Sequence, residues 1–151
     1  CSEGPLQPER PFFARPAMPA ALIAALPYML AVFAAGAVLG TARALLVAPR
    51  IGEAAAILLE IPVMLAISLW AADRAVRRCR VPAHLGPRLA MGAAAFALLQ
   101  AAEFALATLG FGRSPAEHLA AVARPARLPG LAAQIVFGAM PALLLIGPAR
   151  R

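Results

Sequence analysis

Long uninterrupted apolar runs, rather than an alternation of apolar and polar positions, organise this chain. Four stand out: AALIAALPYMLAVFAAGAVLGTARALLV (residues 20–47), EAAAILLEIPVMLAISLWAA (53–72), LAMGAAAFALLQAAEFALATLG (89–110) and LPGLAAQIVFGAMPALLLIG (128–147). A bilayer core about 30 Å thick is crossed by roughly 20 apolar residues in a helix, so each run predicts one span. A buried helix of a soluble protein can imitate one such run. Four in 151 residues leave too little protein to cover them. The fold expected is all-α, a four-helix transmembrane bundle over residues 18–151.

Breaker residues fall where this division needs them. Pro49 and Gly52 separate the first run from the second, and Pro82, Gly86 and Pro87 the second from the third. The stretch ADRAVRRCR after the second run reads as an arginine-rich loop. In the third gap, RSPAEHLAAVARP, Ser114 and Glu117 have capping-box spacing with Pro115 at the first helical position. A short helix should begin there and stop at Arg124-Pro125. Leu119, Ala120 and Val122 give it an apolar side suited to the membrane interface; an ordinary connecting turn is the alternative. Residues 1–17, with Pro5, Pro8, Pro11 and Pro16, are read as disordered or as a misassigned start, with Met18 the natural initiator. A processed lipoprotein terminus at Cys1 is the competing reading.

Composition strengthens the choice of lipid as solvent. Hydrophobic residues make up 62% and charged residues 14%, against about 45–50% and about 25% in ordinary soluble domains. The net charge of +7 is compatible with phosphate binding. All the basic residues are Arg, however, and they flank apolar runs with no aromatic platform beside them. No nucleic-acid partner is expected. Cys1 and Cys79 make no disulfide framework.

Arginine placement sets an expected orientation. With four spans, the termini and the middle loop share one side, which holds nine arginines (10, 15, 74, 77, 78, 80, 88, 150 and 151) against five opposite (43, 50, 113, 124 and 127). Without residues 1–17 the balance is seven to five. Both termini are therefore expected in the cytoplasm.

Within the spans, the polar residues are few: Arg43, Glu53, Glu60, Gln100, Glu103 and Gln134. Glu60 lies two turns from Glu53 on the same face, about 10 Å deeper. This orientation puts Glu60 and Gln100 near mid-bilayer, with Glu103 and Gln134 in the outer half. An ionised group at mid-bilayer costs roughly 2.5–3.5 kcal/mol on insertion scales, so these side chains should converge. Arg43 should pair with Glu60 or Glu103, with Gln100 and Gln134 donating hydrogen bonds. Glu53 has Arg50 or interfacial water within reach. Such a cluster reads either as a structural clasp or as a proton or substrate site.

Gly36 and Gly40 in GAVLG form a small-xxx-small face for close helix packing, within the bundle or in a homo-oligomer. Pro27, Pro62 and Pro141 lie inside spans, where Pro62 frees the carbonyl of Leu58. Trp70 and Tyr28 suit interfacial anchoring. His84 and His118 fall in different loops without an acid or thiol at ligand spacing, so no metal or other cofactor is expected. GxSxG, Walker A, HExxH and CxxC motifs are absent, and no enzyme activity is expected.

The stretches VFAAGAVLGTARALLVAPRIGE and LLEIPVMLAISLWAADRAVRR resemble a family of small uncharacterised integral membrane proteins of proteobacteria. The resemblance runs through GRSPAEHLA and covers most of residues 20–140. It implies a four-span inner-membrane protein. It implies no functional residues. The partners expected from the spans themselves are the lipid bilayer and either further copies or another membrane protein.

Overall fold

The computed structural model describes residues 17–146. The expectations placed on residues 1–16, including Cys1, Arg10 and Arg15, and on residues 147–151 lie outside them. Every regular element among the described residues is helical. Helix α1 (Ala17–Ala42) runs through a π-helical turn (Arg43–Val47) into the short α2 (Ala48–Ile51). Gly52, at φ +85°, breaks the chain before α3 (Glu53–Cys79). Helix α4 (Leu85–Ala105) also ends in a π turn (Leu106–Gly110), and α5 (Pro115–Val122) follows. A 3-10 turn (Pro125–Arg127) leads into α6 (Leu128–Leu143).

Four of these rods, Ala17–Ile51, Glu53–Cys79, Leu85–Gly110 and Pro125–Leu143, are long and apolar enough to cross a membrane. Their outward faces are apolar too: Leu22, Leu30, Leu59, Leu69, Trp70 and Ile135 are all exposed. A water-soluble monomer rarely tolerates apolar patches beyond a few hundred Å². The chain is a membrane protein by its surface as well as by its helix lengths.

The arginine-rich stretch expected as a loop is helical. Helix α3 continues to Cys79 because Ala and Arg are strong helix formers and Asp73 accepts both bonds from Arg77 Nε at 2.9 Å, one turn on. Arg80 ends it in the left-handed conformation, φ 53°. Its N–H donates to Arg77 O, and that of Val81 to Val76 O at 3.0 Å, which is a Schellman cap with Arg in glycine's usual place.

Helix α1 packs on α3 and α4, and α6 packs on the same two, so α1 and α6 face each other diagonally. They meet through the core. Tyr28, fully buried, stacks on Phe137 with ring centroids 4.5 Å apart and donates its hydroxyl to Phe137 O at 2.8 Å. Tyr28 is therefore not an interfacial anchor, since its polar tip already has a partner in the protein; Trp70 is 63% exposed.

Burial is concentrated in one half of the bundle. It takes in α1 from Ala20 to Val32, α3 from Ser68 to Val76, α4 from Arg88 to Leu99 and α6 from Phe137 to Pro141. These segments form the end nearest the α3–α4 turn. There Gly92 and Gly138 let α4 and α6 touch backbone to backbone: a Cβ on Gly92 would stand 1.8 Å from Gly138 O. The opposite half opens around a cavity.

Candidate functional site

The cavity holds about 650 Å³ and reaches from the π turn of the first rod and the α5–α6 connection down to Phe137. All four long helices line it. Helix α3 contributes one face, Ile57, Glu60, Ile61, Met64, Leu65 and Ser68, at the spacing of a single helical stripe. Helix α1 contributes Gly36, Gly40 and, from its π turn, Arg43. Helix α4 adds Leu99 and Glu103, and α6 adds Gln134 and Phe137.

Two polar pairs cross this space. Arg43 Nε stands 2.6 Å from Glu60 Oε2, with both side chains less than one-fifth exposed. The N–H is not aimed at the oxygen, so the contact is an ion pair without hydrogen-bond geometry. Gln134 Nε2 donates to Glu103 Oε1 at 2.6 Å. A third pair closes the rim, where Arg127 Nε donates to Glu53 Oε1 at 3.2 Å with both side chains about 40% exposed. That rim pair is worth little by itself.

The structure thus brings together Arg43 with Glu60, Glu103 with Gln134, and Glu53 with Arg127. Glu53 does not use Arg50, whose guanidinium bonds Leu46 O one turn back. Gln100 does not join either: its Oε1 is buried with no partner. It does not line the cavity: it lies about 60° round α4 from Glu103 and just past the edge of the Leu99–Glu103–Ala107 stripe that does.

The two glycines read as a helix-packing face instead line the cavity. A Cβ on Gly36 would meet only Met64 Cε, at 3.4 Å, and one on Gly40 only Arg43 Nη2, at 4.0 Å. The close approach belongs to Gly92 and Gly138, single glycines on different helices with no local spacing to mark them.

The cavity mouth was not legible as a site. Arg113, His118 and Arg127 line it together with Ala121 and Val122 of α5. Helix α5 is fixed by the capping box: Glu117 N donates to Ser114 Oγ at 3.2 Å, and Ser114 N to Glu117 Oε2 at 2.7 Å. These bonds, the backbone one foremost, hold the exposed Glu117 carboxyl below its ordinary range. His118 is placed edge-on to Phe104 at 5.5 Å. Among the described residues, no three His, Cys, Asp or Glu side chains stand close enough to hold a metal ion.

No family model, curated protein or solved structure matches the chain.

Proposed function

We propose that this chain is a non-enzymatic accessory or scaffold component of a bacterial inner membrane, with both termini cytoplasmic. Its partner is a second copy or another membrane protein. The observation that supports this reading is the pairing of the acids. Glu53, Glu60 and Glu103 each meet a partner on another element, tying α3 to the start of α6, α1 to α3, and α4 to α6. Interhelical hydrogen bonds in membranes average about 0.6 kcal/mol and reach about 1.7 kcal/mol. Two hydrogen-bonded cross-ties of this kind, together with the Arg43–Glu60 ion pair, fit a clasp that sets the register of Ala-rich helices.

A small oligomeric carrier, using Glu60 and Glu103 opposite Arg43, is the second reading. The cavity beside these acids favours it, because intramembrane ionisable groups mark substrate and ion paths. Reconstitution into liposomes separates the two. On the scaffold reading, wild type shows no proton or solute flux, and Glu60→Gln only lowers the unfolding temperature modestly. Flux in wild type that disappears in a folded Glu60→Gln variant would replace the scaffold with the carrier.

A further inference from the structure

The cavity changes chemistry along its length. Its floor is largely apolar, built by Val32, Phe33, Met64, Leu65, Leu99 and Phe137 around the buried Ser68. Its waist carries the Arg43–Glu60 ion pair and the Gln134–Glu103 hydrogen bond. Its mouth carries Arg113, His118 and Arg127. Arg127 is matched by Glu53, whereas Arg113 has no ion-pair partner among the described residues. With Arg43 matched by Glu60 and Arg127 by Glu53, the charges on the lining without an ion-pair partner are the Arg113 guanidinium and the Glu103 carboxyl, which is bonded to neutral Gln134. Of the two, Arg113 is the one at the entrance.

A cationic mouth above an apolar floor complements a molecule with an anionic head and an alkyl tail. The dimensions agree. From Arg127 to Phe137, α6 rises about 15 Å, the reach of a medium-length chain. The volume of about 650 Å³ falls inside the range of about 300–1,000 Å³ typical of small-molecule sites.

The bilayer can supply such a molecule. Polar pairs tie the α1–α3, α3–α6 and α4–α6 seams in this half. Among the described residues no such pair joins α1 to α4. Both helices of that seam end in π turns, whose leucines 45, 46, 106 and 109 are exposed. Such irregular turns recur at functional sites.

The geometry points to a binding site for a single-chain anionic amphiphile. Its carboxylate or phosphate head lies at Arg113 and its tail on the Phe33–Phe137 floor, and it enters from the lipid between α1 and α4. The site stands whether the protein is a scaffold or a carrier.

The test uses the full chain in phosphatidylcholine nanodiscs and a dodecanoic acid carrying a diazirine near the tail end. After photolysis, peptide mapping should place label on Phe33, Met64 and Leu99. Unlabelled dodecanoate should remove it, while dodecanol and dodecyltrimethylammonium should compete several-fold less well. Arg113→Gln should weaken dodecanoate competition several-fold, and filling the cavity with Gly40→Phe should abolish the label. Gly36→Leu fills the same space if Gly40→Phe does not elute as folded protein. Label spread over the outward Leu30, Leu58 and Leu69, unchanged in a folded filling variant, would overturn the site. Equal competition by the ammonium would overturn the anionic head, and competition by acetate would make it a site for a water-soluble anion.

Discussion

Gly92 is where one added methyl group has least room. Its Cβ would overlap the carbonyl of Gly138, an atom held in the α6 backbone that cannot swing aside as a side chain would. Gly92→Ala should therefore push α4 from α6 and cost on the order of 1–3 kcal/mol, the usual penalty of overpacking. Gly40→Ala should be neutral or stabilising by up to about 1 kcal/mol, because Ala is the better helix former and the cavity has space for it. Thermal unfolding in detergent, followed by circular dichroism, checks the contrast; equal losses would mean that α4 and α6 do not meet at these glycines. The sequence pointed to the other pair. Spacing within GAVLG is visible along one helix, whereas the partnership of Gly92 and Gly138 exists only after two distant helices have docked. The polar residues were easier to find, since Arg43, Glu60 and Glu103 each interrupt an apolar run. Their pairing was only half legible: Gln100 lies three residues before Glu103 and only about 60° from it round the helix, yet that is enough to leave it outside the lining stripe.

Among the elements, α5 was the most legible, because its start depends on contacts spanning three residues. Ser114 and Glu117 bond each other's backbone N–H, so the signal and its consequence lie within one turn. The same contacts predict a pH dependence. The folded Glu117 carboxyl titrates below its ordinary value of 4.5, so its contribution is fully present above that pH. It is lost as pH falls through the lower folded value. Hydrogen exchange of the α5 amides should stay constant from neutral pH to about 4.5, after correction for intrinsic rates, and lose protection below it. Glu117→Gln should remove that step; an unchanged step would assign it to another group. Other elements were harder to read. The apolar pattern of the second run ends at Ala72, while the helix goes on to Cys79 through Asp73–Arg77 pairing and an unusual left-handed Arg80. The π turns at Arg43–Val47 and Leu106–Gly110 left no mark in composition, since one extra residue in a turn is a response to packing at the wide end of the bundle.

At the scale of the whole molecule, a tightly packed half and a hollow half have to share one set of helices. The packed half is held by apolar burial and the Tyr28–Phe137 contact. The hollow half lacks that packing, so its helix spacing depends more heavily on polar ties. Arg43–Glu60 is the deepest ion pair of the three, and its two members are not equivalent. Arg43 has a long stem that can carry its charge up the cavity toward water when its partner is removed. Glu60 is shorter and has no such route. Arg43→Met should accordingly cost more than Glu60→Gln, approaching the roughly 2.5–3.5 kcal/mol of an unmatched charge at mid-bilayer. The double variant Arg43→Met/Glu60→Leu should recover most of that loss, because replacing a buried pair by apolar groups is often close to neutral. Unfolding of wild type, Arg43→Met, Glu60→Leu and the double variant in a common detergent closes the cycle and gives the coupling directly. Strictly additive losses would mean that the pair contributes nothing as a pair, and the hollow half would then need another source of its spacing, with an occupant of the cavity the first candidate.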